Sequence, residues 1–304
     1  MPKIILVRLA QVIPTLFGVS LIAFVLVRLT GDPAATMLPP TATASEIAEF
    51  RTQYGLDLSW PAQYMVFLKN VVTGSLGTSI RYDVPVTSLL ADRLPATLAL
   101  GGTALAFAVV LGLSLGILSA MRQGTWVDRL ARSVAMTGQA VPTFYLGILL
   151  ILVFGVWLSV FPTGGFVGPG SLVLPSVALG IALTPLIVRV TRASMLDVVR
   201  QDYVRTAHAK GLPSGRILRL HVVRNALIPV ITIVGLQLGS ALSGAVLTET
   251  VFSWPGVGRL LVDAISTRDF PVVQGVVLVA AVGFVFVNIL VDFLVARLDP
   301  RIKL

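Results

Sequence analysis

Charged residues divide the chain into long apolar runs. Arg8 and Arg28 bracket positions 9–27, Arg93 and Arg122 bracket 94–121, and Arg132 and Arg189 bracket 133–188. Further on, Arg224 and Glu249 bracket 225–248, and Asp269 and Asp292 bracket 270–291. A helix of about 20 apolar residues crosses a hydrocarbon core of about 30 Å. The run 133–188 is too long for one crossing, and FPTGGFVGPGS at 161–171 breaks it with a proline- and glycine-rich turn. The pattern therefore predicts an all-α integral membrane protein with six spanning helices and both termini on one side.

Composition agrees. Of 304 residues only 12% are charged, against about 25% in a soluble domain, and the mean hydropathy is +0.92. A net charge of +9 raises the question of nucleic acid, but the placement of the charges answers it. With the N-terminus inside, the inner pieces 1–8, 120–134, 189–226 and 292–304 hold 16 of 23 basic residues and 5 of 14 acidic ones. That is the positive-inside bias of a membrane protein, so N- and C-termini are expected in the cytoplasm and no nucleic-acid partner is expected. The first apolar run exceeds a typical signal-peptide core and is closed by Arg28, so it reads as a retained helix. There is no cysteine, hence no disulfide framework or thiolate chemistry.

Two segments outside the spans are long. In the outer one, 29–93, Ser45 followed by Ile47, Phe50 and Tyr54 predicts a capped amphipathic helix. Trp60-Pro61 followed by Tyr64, Phe67 and Leu68 predicts a second at the membrane surface. This segment is either a lid over the helix ends or a docking surface for an extracytoplasmic partner, with Tyr54, Trp60, Tyr64 and Arg81 as its candidate contacts. The inner segment, 191–226, contains DYVRTAHAKGLPSGRILRLHVVRNALIP at 202–229. Gly211 with Pro213 just beyond stops a helix, and a second helix then leads into span five. A lipid anchor would need the basic charges alone; it would not need a small-residue patch and a glycine stop.

Several chemistries find no support. No GxxxxGK[ST] occurs, so the chain has no P-loop of its own. Gly112-Leu-Ser114-Leu-Gly116 matches G-x-S-x-G, but it lies in an apolar span, and both histidines, His208 and His221, lie in the inner segment. A serine without a reachable base is no nucleophile, so these small residues read as helix-packing positions, as do Gly235 and Gly239. Two lone histidines make no metal site. Gln237, Ser240, Gly244 and Thr248 share one face of span five with Glu249 at its outer mouth. They line a pathway or pack the bundle, whereas Asn288 and Asp292 read as interhelical hydrogen-bonding groups.

Four separated stretches carry a family resemblance: YVRTAHAKGL at 203–212, RNALIPVIT at 224–232, ETVFSWPGVGRLL at 249–261 and LDPRI at 298–302. The chain resembles the dipeptide/oligopeptide/nickel permeases of ABC importers, in particular the subunit with a long first extracytoplasmic loop. The resemblance implies two regions: a first helix with its long outer loop, 1–93, and a five-helix permease core, 94–304, with an EAA-type cytoplasmic coupling loop at 191–226. It puts Arg205, Thr206 and Ala207 at the E-A-A positions and Gly211 at the glycine, with Tyr203 and Lys210 beside them as ATPase-coupling residues. Small residues at 207 and 209 would let the loop approach another protein closely. Arg205 departs from the acidic residue of the general motif, and Pro229 comes later than its closing proline.

The implied partners are a second homologous permease, two ABC ATPase subunits that bind ATP and magnesium, an extracytoplasmic substrate-binding protein and the lipids of a bacterial inner membrane. The chain itself would be non-catalytic and hold no cofactor. The implied cargo is di- or oligopeptides. Nickel or another small solute is the alternative cargo, and a self-contained secondary carrier or channel is the alternative class.

Overall fold

The computed structural model describes residues 2–29 and 31–298, with side chains from residue 12 onward except 35, 36, 242, 243, 292 and those after 293. The side chains of Lys3, Arg8 and Asp292, and the closing stretch from 299, thus lie outside the described residues. The regular elements are helical apart from one isolated bridge, Thr78 to Pro85. The longer α-helices are α1 Pro2–Leu29, α2 Ala44–Gln53, α3 Trp60–Val72, α4 Val86–Met121, α5 Trp126–Ala140, α6 Thr143–Leu150, α7 Val173–Val199, α8 Asp202–Ala209, α9 Arg224–Val251, α10 Val257–Thr267 and α11 Phe270–Leu298, with single helical turns, two π-helical stretches at Ile151–Trp157 and Leu218–Val223, and loops between.

Among the described residues five helical stretches are long and apolar enough to cross a membrane: Val12–Leu29, Val86–Met121, Pro169–Val199, Ser214–Ala241 and Phe270–Val291. Where a sixth span was expected within 133–160, the structure has a bent pair, Trp126–Ala140 and Thr143–Trp157, meeting at 100°; counted as one broken span, it makes six. Pro142 lacks an N–H and drives Val141 into extended backbone, φ −88° and ψ 124°. The expected boundaries of the inner segment also shift. Thr191 to Val199 continues α7, and Ser214 to Val223 runs on into α9 through one turn of α-helix and a π-helical stretch. The freestanding part is only 200–213.

The chain divides into two compact units, residues 1–97 with 255–286, and 98–254 with 287–304. The division falls inside α4 and α11.

In the first unit, Val27, Val86, Leu90, Leu260, Phe270 and Val273 form one buried cluster, and Phe24, Tyr64, Phe67 and Leu278 another. Tyr64 stands edge-on to Phe24 and Phe17, centroids 5.0 and 5.9 Å away, and its hydroxyl lies 3.0 Å from Ser20 Oγ. That places α3 on α1. Helix α2 forms as expected, but its cap is Thr43 and not Ser45. Thr43 Oγ1 accepts from Glu46 N, and the Glu46 carboxylate accepts from Thr43 N at 2.7 Å. Thr43 supplies the extended N-cap backbone that a capping box needs, and these bonds hold the Glu46 carboxyl below its usual range. The loop after α3 is pinned by Asp269, which is buried. Its carboxylate accepts from Ser79 Oγ at 2.5 Å, Ile80 N at 3.1 Å and Arg81 N at 3.2 Å.

In the second unit, α4 and α7 approach to backbone distance. A Cβ on Gly112 would lie 2.6 Å from Ile187 Cγ2, and one on Gly116 2.6 Å from Thr191 Cβ. The G-x-S-x-G pattern is thus a packing seam, and Ser114 is exposed and bonds only back to Val110 O. Gly235 serves the same end against Val291. In lipid, close packing and hydrogen bonds hold helices together, since apolar tails give no hydrophobic drive. The turn 161–171 joins the end of α9 through Gly165 N to Phe252 O, 2.8 Å.

Candidate functional site

Helix α8 is eight residues long and stands alone between two sharp turns. Its inner face is Val204 and Ala207, buried in a cluster with Met195, Ile217, Val222 and Ala226. Tyr203, Arg205, Thr206, His208, Ala209 and Lys210 are exposed. The exit is a Schellman turn: Gly211 N–H donates to His208 O at 2.9 Å and Leu212 N–H to Ala207 O at 3.3 Å. Gly211 sits at φ +76°, where a side chain is strained. Leu212 packs on the same cluster, so the turn is fixed from both sides. Asn225 Nδ2 donates to Tyr203 Oη at 3.2 Å, and Ser194 Oγ to Ala226 O at 2.9 Å.

One expectation needs correction here. Ala207 was to offer a small surface to another protein, but it is 5% exposed and spent on the chain's own core. The 3.6-residue period turns 204 and 207 to one side, which leaves Ala209 as the exposed small residue. Arg205 lies 3.7 Å from Asp202 in a fully solvated pair, which contributes little.

The sequence reading missed a buried polar centre on α5. Asp128 on α5 is 1% exposed and accepts from Arg192 Nε and Nη2 at 2.9 and 2.8 Å, Ser119 Oγ at 2.6 Å and Gly124 N at 3.0 Å. The available signal was a lone acidic residue amid Arg122, Arg129 and Arg132 in a segment counted only for its charge.

The α9 stripe is mostly turned inward. Gln237 Nε2 donates to Leu183 O at 3.0 Å, a Cβ on Gly244 would lie 3.0 Å from Leu179, and Thr248 and Glu249 are buried. Ser240 alone of the five is exposed, beside exposed Leu236 and Leu247. Within this chain the stripe is chiefly a seam against α7.

On the outer segment, Trp60 and Arg81 are exposed and Tyr54 is half-buried. Tyr64, expected among the docking residues, is instead the buried ring that ties α3 to α1. Its spacing from Phe67 marked an apolar face, and that face turned inward.

Comparison with known proteins gives these features a context. Residues 112–304 match the family described as binding-protein-dependent transport system inner membrane component, and residues 1–101 match its N-terminal part. The chain is 43% identical over 297 residues to the glutathione transport system permease protein GsiC of Escherichia coli O6:H1, covering 97% of each. It is 39% identical over 325 residues to the dipeptide transport system permease protein DppB of Alkalihalophilus pseudofirmus, covering 97% of this chain and 98% of that one. Among solved structures, the MetNI methionine ABC transporter in an inward-facing conformation is similar in fold, with TM-score 0.59 at 20% identity over 69% of this chain and 96% of that one. An amino acid ABC transporter also matches, with TM-score 0.56 at 17% identity over 69% of this chain and 94% of that one.

Proposed function

Because the chain belongs to the family of binding-protein-dependent transport system inner membrane components, as a non-catalytic, multi-pass permease subunit of an ABC importer, we propose that it forms part of the path for di- and oligopeptides. The cargo reading is carried by one observation. Two relatives that span nearly the whole chain are named for a dipeptide and for glutathione, itself a small peptide. The self-contained carrier or channel gives way to family membership.

The proposed assembly pairs this chain with a second, homologous permease and two ATPase subunits that bind ATP and magnesium. An extracytoplasmic binding protein delivers the cargo. With both termini in the cytoplasm, α8 lies on the ATPase side and the segment 29–93 outside. The exposed residues Tyr203, Arg205, Thr206, Lys210 and Ala209 form the contact with an ATPase, and Gly211 fixes its exit. Ala207 acts from beneath, since a buried inner face makes α8 move with α7 and α9 as one body. Closure of the ATPases around ATP then rocks the spans between inward- and outward-facing forms. Ser240, with Leu236 and Leu247, faces the pathway or the second permease. Gln237, Gly244, Thr248 and Glu249 hold α9 in register behind it. Tyr54, Trp60 and Arg81 offer the binding protein a surface.

The test is the assembled complex with residues 203–211 scrambled. The expected result is an intact complex that hydrolyses ATP without peptide uptake. Normal ATP-driven uptake by that variant would overturn the coupling role.

A further inference from the structure

We propose that the outer part of the first unit carries a cleft for the two charged ends of a short peptide, separate from the helices assigned to the pathway. A cavity of about 670 Å³ is lined by Arg28, Asp32, Arg51, Asp57, Trp60 and Phe270, among others. Ligand clefts run from about 300 to 1,000 Å³, so its size suits a small solute.

Arg28 marks the site. It is half-buried, 3.4 Å from the centroid of Phe24 and 5.4 Å from that of Phe270. Its Nε and Nη2 donate to Gln63 Oε1 at 2.9 and 2.6 Å, and its Nη1 to Phe24 O at 3.3 Å. Every one of these acceptors is neutral, so among the described residues the guanidinium has no counter-ion. Gln63 is itself fixed, because its Nε2 donates to Leu58 O at 2.8 Å. A guanidinium withdrawn from water, held on aromatic faces and aimed by an oriented amide, is prepared for a carboxylate. The second cation, Arg51, is already neutralised by Asp32, with Nε 2.9 Å from Oδ2. Asp57 is exposed on the same lining, and its carboxylate accepts no bond from the described residues.

The cleft therefore presents one uncompensated cation and one uncompensated carboxylate, with Trp60, Leu56 and Phe270 as apolar walls. That is the complement of a zwitterion with apolar groups between its ends. The peptide's carboxylate goes to Arg28 and its ammonium to Asp57. The choice of a peptide over another zwitterion rests on the cargo reading above.

The experiment uses the assembled complex in lipid nanodiscs without binding protein. Binding of labelled trialanine is compared with that of its C-terminal amide and its N-acetyl form by equilibrium dialysis. Free trialanine is expected to bind, and capping either end to weaken it by about tenfold, the loss of one charge-assisted bond in a partly solvated site. Asp57→Asn should abolish the sensitivity to N-acetylation and keep that to amidation; Arg28→Gln should do the reverse. Arg28 also links α1 to α3, so Asp57→Asn, at an exposed position, decides the matter if Arg28→Gln fails to assemble.

Equal binding of free and capped peptides, or no binding, overturns the cleft. So does a defect of these variants confined to engagement of the binding protein, which would make the cleft a docking site for a protein carboxylate. Uptake of trialanine with the binding protein present is measured in parallel. Uptake without cleft discrimination sinks the cleft alone, and absence of uptake sinks the cargo reading.

Discussion

Asp128 and Arg192 meet in a two-point fork, Oδ1 on Nε at 2.9 Å and Oδ2 on Nη2 at 2.8 Å. The same carboxylate holds Ser119 Oγ and Gly124 N, so one buried group joins the end of α4, the turn after it, α5 and α7. Removing the carboxylate leaves the Arg192 charge uncompensated, which costs about 3–5 kcal/mol, whereas removing Arg192 leaves Asp128 with Arg132 Nε at 3.3 Å. Arg192 keeps some access to water, which favours the lower end. Asp128→Ala is expected to lower the midpoint of thermal unfolding of the purified complex clearly, and Asp128→Asn by less. Asp128→Ala with Arg192→Ala together should cost less than the two losses added. A neutral Asp128→Ala would show that the fork carries no stability.

Gly211 ends α8 at φ +76°. Placing a Cβ there costs about 1–2 kcal/mol, and Asn tolerates the conformation better than Ala. A Cβ would meet nothing within 4 Å, so the penalty is conformational and not steric. Gly211→Asn should keep ATP-driven uptake near wild type, and Gly211→Ala should reduce it while the complex still assembles. Equal uptake by the two variants would separate coupling from the geometry of this turn.

The helical fold was legible because charged residues fence the apolar runs, and the cost of burying charge in lipid makes such fences reliable. The bend at Pro142 was also written in the sequence, but the uncharged run 133–160 masked it. Local signals told less about partners. The stripe from Gln237 to Glu249 lies on one face as its spacing requires, yet only packing against α7 reveals that Gln237 is spent on Leu183 O. Ala207 and Tyr64 failed as surface residues for the same reason: periodicity identifies a face and not which neighbour covers it. Asp269 read as the edge of a span because its donors, Ser79, Ile80 and Arg81, lie about 190 positions away.

Gly112 and Ser114 sit two residues apart with opposite expected behaviour. A methyl group on Gly112 would meet Ile187 at 2.6 Å, and overpacking of this kind costs about 1–3 kcal/mol. Ser114 is exposed and bonds only to Val110 O. Gly112→Ala should lower thermal stability and yield, and Ser114→Ala should leave stability and peptide uptake unchanged. Loss of uptake in Ser114→Ala, with folding intact, would revive a chemical role for this serine.

Asp269 anchors the outer loop through one hydroxyl and two backbone donors. Ser79 Oγ in turn accepts from Tyr82 N at 3.0 Å, so the loss of one carboxylate unpins the turn 79–82 from Asp269 and leaves it only its internal bonds, among them Ser79 N to Val84 O at 2.9 Å and Asp83 N to Ser79 O at 3.1 Å. Asp269→Ala would leave the Ile80 and Arg81 amides without their acceptor, at about 1–3 kcal/mol for each group that stays buried. Water can reach a turn that has opened, so the loop is expected to detach before the helices unfold. Limited trypsin digestion of the complex reads this directly: cleavage after Arg81 should accelerate in Asp269→Ala, while cleavage after Arg122 stays at the wild-type rate. Asp269→Asn keeps one acceptor oxygen for a single amide and should fall between the two. Uniform acceleration at both sites would mean that Asp269 supports the unit as a whole and not the loop alone.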